Sequence, residues 1–537
     1  MDETGSYLKD VLDLPVETNM RTSMPTVSPL DAALTAMELM AKENIGSIDV
    51  VEKDQPVGVV TERDILQRVL KFGKNLELTL VKDVMSKPVV TIEAERTIAD
   101  ALEMLQKNNI RRLVVTRGGA LVGITTKRRL LEIASHGYYL VRGRGPLEIV
   151  GDHEVRRIRV AYVSTYPPRE CGIATYTKHL VNAASAYCAR IMKSPVIVAV
   201  NDRGGYYDYE NRVKSQIDVD DIQSYEKAAR YINTSDVDVV NLQHEYGIFG
   251  GEWGEYVTDL LQRIEKPVVT TLHTVLEKPV PDARRVLEGV LERSDFVVVM
   301  AKTGMRILER VYGIGGDKVR HIPHGCPNVH HIETAMMKRS FGLQDRVVLS
   351  TFGLLSSGKG IEYVIEALPR IVKEFPEILY LIIGETHPEI RKREGETYRQ
   401  LLLNLVESLG LKKNVRFVNR FLPENELINY LQATDIYIIP YPNREQISSG
   451  TLSYALSTGK AIVTTPFLQA EEVISNGAAL KCEFKDPNSI FECVNTLLND
   501  KGVYQRFSKM AYEYSRLMIW PHVAMSYVNA FYHTLGL

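Results

Sequence analysis

Residues 440–466, PYPNREQISSGTLSYALSTGKAIVTTP, specify a strand–loop–helix–strand unit. The apolar run Ile436–Ile439 enters this segment and ends at two prolines, and a polar loop follows. A helical pattern begins at Thr451 and stops at Gly459, before a second apolar run at 461–463. The helix N-terminus would open onto the loop, where its unpaired N–H groups and positive dipole end suit a phosphate. An ordinary βαβ crossover with a polar N-cap is the other interpretation.

A glycine-rich loop precedes this unit in the same α/β pattern. The buried-strand run Val347–Phe352 leads into GLLSSGKGIEYVIEAL, in which Gly353 and Gly360 allow a tight loop around Lys359. A helix is predicted to begin near Ile361. A lysine between glycines at a helix start can act as a point charge on phosphate, and a solvent-exposed lysine in a turn is the alternative.

Further apolar runs predict two α/β domains. Their near-continuous apolar character is typical of parallel sheets that are covered on both faces. The predicted strands are Leu379–Gly384 and Val415–Val418 in the second domain, and Arg159–Ser164, Val196–Val200, Val237–Leu242, Val268–Leu272 and Phe296–Met300 in the first.

Polar side chains follow the strands of the first α/β domain. They include His244, His273 and His324, and the loop PPRECGIATY brings Gly172 to a helix start. Because the carboxyl ends of parallel strands line one crevice, these residues predict a shared ligand cleft. The histidines lack metal-ligand spacing, so no metal site is predicted.

Two copies of a β-α-β-β-α pattern, at about 16–70 and 80–137, fill the N-terminal region. The first copy ends in GVVTERDI and the second in GITTKRRL. This tandem repeat resembles a CBS-domain pair.

The CBS resemblance implies an adenine nucleotide, AMP or ATP, held by Thr61 and Asp64 of the first copy and Thr126 of the second. Arg129 stands where the second copy would carry its acidic residue, and an arginine cannot accept a hydrogen bond from a ribose diol. Nucleotide binding and dimerisation both stay open as roles for this module.

The segments NLQHEYGIFGGEWG, VVTTLHT and IPHGCPN, with the lysine loop and the segment at 440–466, resemble retaining glycosyltransferases of the GT-B fold, family 4. The resemblance implies a nucleotide-diphosphate sugar as donor and catalytic roles for Lys359, Glu445 and His273. Donor-binding roles are implied for Gly172, Gly353, Ser448, Ser449, Gly450, Thr451 and Leu452.

Two positions depart from the family pattern. Leu354 replaces an arginine that holds the donor diphosphate, and Arg420 is a hypothetical substitute. Ser453 stands eight residues after Glu445, where a ribose-binding glutamate is usual. Glu471, or its neighbour Glu472, is the candidate replacement.

The predicted fold class is α/β: two Rossmann-like doubly wound domains (GT-B) after a tandem CBS module. The predicted boundaries are 1–145 for the CBS pair, 146–156 for a linker, 157–335 for the acceptor domain, 336–515 for the donor domain and 516–537 for a C-terminal helix that crosses back.

Composition and charge indicate which kinds of partner and which cellular location to expect. With 65 Lys+Arg against 67 Asp+Glu, no global field favours nucleic acid. No apolar run reaches the roughly 18–20 residues of a membrane span, and the N-terminus is unlike a signal peptide. The five scattered cysteines favour a reducing cytoplasm. Peripheral contact with a membrane stays open, and a homodimer or higher homo-oligomer is expected from the CBS pair.

The function predicted from these resemblances is metal-independent, retaining transfer of a hexose, mannose or glucose, to a hydroxyl acceptor, with no cofactor required. Two alternatives stay open. One is a sugar-phosphate synthase or phosphorylase on the same scaffold, and the other is a non-catalytic adenine-nucleotide sensor on a decayed GT-B scaffold.

Overall fold

A computed structural model gives the fold of residues 12–22, 24–43, 45–108, 110, 112–127, 130, 156–189, 191–205, 207–329, 332, 334–445 and 448–537. The chain forms two units, Met1–His153 and Glu154–Leu537. Arg129 and residues 146–155 of the predicted linker lie outside the described residues.

Each repeat of the N-terminal unit folds as a three-stranded sheet with helices. A short strand runs parallel to the first strand of an antiparallel hairpin, in the orders β1-β2-β3 and β4-β5-β6. The elements are β1 (Thr26–Val27), α1 (Ala33–Lys42), β2 (Ser47–Glu52), β3 (Gln55–Thr61), α2 (Glu62–Arg68), α3 (Val81–Val84), β4 (Thr91–Glu93), α4 (Ile98–Lys107), β5 (Arg112–Arg117) and β6 (Ala120–Thr126).

The two repeats complete each other. The segment before β1 pairs with the second repeat, where Arg21 bridges Ile124, and the segment before β4 pairs with the first repeat, where Ser86 bridges Val59. The completely buried Asp49 of β2 accepts a hydrogen bond of 2.9 Å from Arg112 of β5. This exchange is the physical reason for the tandem arrangement, since one copy alone would expose its sheet.

The first α/β domain is a seven-stranded parallel sheet in the order β13-β12-β11-β10-β7-β8-β9. The strand order reverses between β7 and β10. Its elements are β7 (Val160–Ser164), α5 (Gly172–Tyr187), β8 (Val196–Asn201), β9 (Val213–Asp218), α6 (Ile222–Thr234), β10 (Val239–His244), α7 (Tyr256–Arg263), β11 (Val268–Leu272), α8 (Pro281–Arg293), β12 (Phe296–Val299), α9 (Lys302–Tyr312) and β13 (Val319–His321).

The second α/β domain is a six-stranded parallel sheet in the order β16-β15-β14-β17-β18-β19, with its reversal between β14 and β17. Its elements are α10 (Thr334–Ser340), β14 (Val347–Phe352), α11 (Ile361–Glu374), β15 (Ile378–Ile383), α12 (Pro388–Glu394), α13 (Thr397–Ser408), β16 (Val415–Val418), α14 (Glu424–Gln432), β17 (Ile436–Ile439), α15 (Gly450–Ser457), β18 (Ala461–Thr464), α16 (Leu468–Ser475), β19 (Leu480–Lys481), α17 (Pro487–Asn499) and α18 (Lys501–Ser515).

The C-terminal helix α19 (Trp520–Thr534) returns to the first α/β domain. The Tyr527 hydroxyl lies 2.8 Å from that of Tyr176 on α5 and 3.0 Å from that of Thr271 on β11. The predicted fold class, two doubly wound sheets after a tandem βαββα module, is confirmed.

Candidate functional site

The loops at the strand reversal of the second sheet bring several predicted donor-binding residues together. Ligands of open α/β sheets bind at such reversals, outside the carboxyl ends of the strands. A Cβ at Gly353, where φ is +135°, would lie 3.4 Å from Cγ2 of Thr451 and 3.8 Å from Cε of Lys359. The loop after β14 and the N-terminus of α15 are therefore in direct contact.

Tyr441 connects Lys359 to the start of α15. The Lys359 ammonium donates a hydrogen bond of 3.1 Å to the Tyr441 hydroxyl and lies 4.6 Å from the centre of the ring. The same hydroxyl lies 3.2 Å from Oγ of Ser449 and 2.9 Å from Oγ1 of Thr451. No role was predicted for Tyr441, whose only signal in the sequence is an aromatic residue between two prolines at a strand end.

The pKa of the Tyr441 phenol shows how strong this positive environment is. Burial raises the pKa, but the Lys359 charge and the hydrogen bonds with Ser449, Thr451 and Lys359 lower it by more. The net pKa lies below the ordinary value of a tyrosine. Negative charge is therefore stabilised at this point of the structure.

Ser449 caps helix α15. Its side chain accepts a hydrogen bond of 3.3 Å from the Leu452 amide, and its own amide donates one of 2.5 Å to Gln469. The backbone amides of Ser449 and Leu452, which were predicted to bind the donor, thus already donate hydrogen bonds within the protein. The amides of Gly450 and Thr451 have no acceptor among the described residues, so they are the ones available to a ligand.

His273 stands at the end of β11, held by a chain of amide groups. Gln243 donates through Nε2 to Asn241 (2.6 Å), which leaves Oε1 of Gln243, 2.8 Å from Nε2 of His273, as an acceptor. This network assigns the proton of His273 to Nε2 and leaves Nδ1 able to accept. Ser448 of the second domain donates a hydrogen bond of 3.3 Å to the His273 carbonyl.

The histidines of the cleft are neutral at physiological pH. Burial, with smaller contributions from His324 and His244, lowers the pKa of His273 to about 3. Burial likewise lowers the pKa of His244 and His324 to about 4. A Cβ at Gly450 would lie 3.5 Å from the His324 ring, so this histidine contacts the N-terminus of α15. These imidazoles can accept or donate hydrogen bonds, but they do not supply charge.

Other predicted residues lie in different surroundings. Arg420 follows the edge strand β16 and forms a hydrogen bond of 2.9 Å with Glu426. Glu445 is exposed, next to residues 446 and 447, which the structure does not describe. Gly172 begins α5, and open space surrounds the position of its absent side chain.

The ribose end of the site differs from the family pattern. Ser453 is completely buried and donates to the Ser449 carbonyl (3.3 Å). Glu472 accepts a hydrogen bond of 2.9 Å from the Thr303 amide at the start of α9. Glu471 pairs with Arg444 (3.0 Å), whose other contact is Glu277 of the first domain (2.9 Å). Of the two glutamates, Glu472 is committed to the contact between domains, and Glu471 remains the candidate.

The two predicted nucleotide residues of the first CBS copy form hydrogen bonds with each other. Thr61 and Asp64 form a reciprocal cap of α2, with their side chains 2.6 Å apart, and Ser86 donates to Asp64 (3.1 Å). Thr126 ends β6. A cavity of about 670 Å³ in this unit is lined at other positions: Gln55, Pro56, Val57, Lys87, Pro88, Val89, Thr91, Glu93, Thr116 and Gly119.

The described part of the chain contains no group of three or more His, Cys, Asp or Glu side chains arranged to hold a metal ion. None of its helices combines the length and the hydropathy needed to cross a bilayer.

Comparison with known families identifies the two modules. The glycosyl transferases group 1 family matches residues 334–514, the domain that holds Lys359 and α15. The CBS domain family matches residues 9–71 and 81–136. The chain thus has the GT-B fold, with a domain of the glycosyl transferases group 1 family at residues 334–514 and a CBS-domain pair in its N-terminal unit.

Curated relatives match short parts of the chain. Over 115 residues it is 36% identical to the uncharacterized protein MK0525 of Methanopyrus kandleri, covering 21% of this chain and 59% of that protein. Over 109 residues it is 36% identical to the CBS domain-containing protein YhcV of Bacillus subtilis, covering 20% of this chain and 77% of that protein. The chain thus spans less than two thirds of the first of these relatives.

Solved structures share the GT-B fold. Anabaena Alr3699/HepE in complex with UDP superimposes with a TM-score of 0.56 at 14% identity, covering 70% of this chain and 99% of that chain. Sucrose-phosphate synthase from Thermosynechococcus elongatus superimposes with a TM-score of 0.58 at 17% identity and the same coverage. At these identities the similarity shows the fold alone.

Proposed function

We propose that the chain transfers a hexose, glucose or mannose, from a nucleotide-diphosphate sugar to a hydroxyl acceptor, with retention of the anomeric configuration. The observation that carries the proposal is the cluster of Lys359, Tyr441 and the N-terminus of α15. Two sources of positive potential converge there, and Lys359 has no carboxylate partner within the described ranges. Such a place suits a diphosphate.

The chemistry follows from charge that develops during the reaction. When the bond between sugar and diphosphate breaks, negative charge builds on the leaving diphosphate, and interactions that strengthen with that charge lower the barrier. The Lys359 ammonium and the amides of Gly450 and Thr451 would supply them. The leaving phosphate would take the proton of the acceptor, so the mechanism needs no metal and no dedicated base.

Neutral hydrogen-bonding groups would orient the donor sugar. Nδ1 of His273, fixed as an acceptor by Gln243, can take a hydrogen bond from a sugar hydroxyl. Glu445 would hold further hydroxyls from the loop before α15, and Glu471 would hold the ribose. Arg420 remains a hypothesis for the diphosphate, since its partner is Glu426.

Replacement of Lys359 tests the proposal. We expect Lys359→Ala to lower kcat by about 10²-fold, the scale of losing one preorganised charge contact. The assay is release of nucleoside diphosphate from a panel of UDP-, GDP- and ADP-sugars. Lys412→Ala, which removes an exposed lysine paired with Glu407, is the control. Near wild-type turnover of Lys359→Ala on every donor would overturn the assignment.

For the CBS pair we propose binding of AMP or ATP, or a purely structural role in a homodimer. A thermal shift with AMP and ATP, compared between wild type and Asp64→Asn, separates the two. A shift that the variant loses supports nucleotide regulation, and its absence in wild type, with a dimeric mass by light scattering, supports the structural role.

The proposed location is the cytoplasm, and the five free cysteines agree with it.

A further inference from the structure

The loop between β10 and α7 contains a strained and exposed tryptophan. Trp253 has φ 55° and ψ 24°, in the left-handed region that bulky residues rarely adopt, and 38% of its surface is exposed. The loop follows the central strand β10, at the reversal of the first sheet. It occupies the same place in the first domain as the segment before α15 does in the second.

Two glycines hold this loop in its shape. A Cβ at Gly250 would lie 1.8 Å from the carbonyl oxygen of Val219, and one at Gly254 would lie 2.6 Å from that of Tyr246. Because backbone atoms occupy the space of both side chains, only glycine fits at these two positions, and the backbone on either side of Trp253 is closely packed. A strained residue that its surroundings enforce is a reason to look for a function.

An unpartnered histidine in contact with the loop is a second, independent sign of a ligand. His244 is completely buried, and neither of its ring nitrogens has a hydrogen-bond partner in the described ranges. Its ring lies 5.1 Å from that of Tyr246, which in turn lies 5.6 Å from that of Trp253. Buried polar groups without partners are rare in proteins and are concentrated where ligands or water complete them.

The same loop is directly connected to the proposed donor site. The His273 amide donates a hydrogen bond of 3.0 Å to the His244 carbonyl. A line of rings, His244, Tyr246 and Trp253, therefore leads from the residue that would touch the donor sugar to the exposed indole. An acceptor bound along this line would approach the donor from the first domain.

The chemistry of the loop selects the kind of acceptor. Glu252 and Glu255 lie on either side of Trp253, and Asp218 precedes Val219, which contacts the loop. Asp220, which follows Val219, is paired with Arg203. An indole face suits the C–H face of a sugar ring, and carboxylates accept hydrogen bonds from its hydroxyls but repel phosphate. We propose that this loop binds the acceptor, that the acceptor is an uncharged saccharide, and that its ring stacks on Trp253. The inference rests on the proposed glycosyl transfer.

The full-length protein offers a direct test. Trp253 and the largely buried Trp520 are its two tryptophans. With UDP present, we expect methyl glucoside, methyl mannoside or maltose to shift the tryptophan emission of the wild type, and glucose 6-phosphate to have at least a tenfold weaker effect. The Trp253→Phe variant should lose most of the shift. Absence of a shift with all three neutral saccharides, or its persistence in Trp253→Phe, would overturn the proposal.

A kinetic measurement separates this proposal from the proposed function. Trp253→Gly should lower the ratio of sugar transfer to donor hydrolysis at least tenfold, mainly through the acceptor KM. Tyr187→Ala, which removes a ring of similar exposure (39%) at the end of α5, should leave the ratio unchanged. A wild-type ratio in Trp253→Gly refutes the acceptor loop. A saccharide-dependent emission shift without turnover of any donor refutes glycosyl transfer instead.

Discussion

Removal of the Tyr441 hydroxyl should lower activity without disrupting the fold. In Tyr441→Phe, Lys359 loses its acceptor at 3.1 Å but keeps the ring at 4.6 Å. Ser449 and Thr451 do not become unpaired, because their hydroxyls already lie 2.9 Å apart. A hydrogen bond to a charged group is worth about 1.5–3 kcal/mol. If Lys359 acts on the leaving diphosphate only when the Tyr441 hydroxyl holds its ammonium in place, loss of this hydrogen bond should lower kcat about tenfold.

The assay is steady-state release of nucleoside diphosphate, with urea unfolding in parallel. Tyr380→Phe is the matched control, since Tyr380 is also completely buried in this sheet and donates to Thr351 (2.8 Å) away from Lys359. Tyr380→Phe should lose about 1 kcal/mol of unfolding free energy and Tyr441→Phe about 1.5–3 kcal/mol, but only Tyr441→Phe should lose activity.

A double variant shows whether the two residues act as a unit. If Tyr441 works through Lys359, adding Tyr441→Phe to Lys359→Met should cost no further activity. Independent, multiplicative losses would refute this interpretation, and so would an unchanged kcat in Tyr441→Phe alone.

Two further predictions concern stability. Because His273, His244 and His324 have folded pKa values of about 3, 4 and 4, below their unfolded value, the unfolded chain binds more protons below pH 6.5. The free energy of unfolding should fall by about 1.4 kcal/mol per pH unit for each histidine as pH drops from 6.5 toward 4, and His244→Phe should reduce this slope in urea titrations. Glu472→Gln should lose about 1 kcal/mol of unfolding free energy, because the Thr303 amide loses a charged acceptor. Glu471→Gln should lose less than about 0.5 kcal/mol, because the Glu471–Arg444 pair is exposed. Equal losses would contradict the role of Glu472 in the contact between the domains.

The interior strands were predictable from the sequence. The runs Val347–Phe352, Val415–Val418 and Val268–Leu272 are strands with the predicted bounds, because nearly unbroken apolar runs are a strong signal. The strands Val213–Asp218 and Val319–His321 were not predicted. Both lie at sheet edges and contain polar residues that are only partly buried, so the apolar signal is weak.

The arrangement of the candidate site could be predicted where its residues lie close together in the sequence. Lys359, between its glycines, and the helix start at Ser449–Thr451 are single-segment motifs, and the structure brings them together. The role of Tyr441 depends on a contact 82 residues away, and that of Glu472 on one 169 residues away. Such contacts follow from tertiary packing, which no local sequence pattern predicts.

The return of α19 to the first α/β domain has a consequence for biosynthesis. Tyr527 and Phe531 complete the core around α5 and β11, yet they follow the whole second α/β domain in the sequence and are synthesised after it. The first α/β domain therefore emerges early but cannot bury its surface until the second has been translated. Domains usually mature in the order of synthesis. Here the first domain must wait for a helix that follows the second domain, so termination of synthesis near residue 515 would leave the first domain exposed to chaperones and proteases.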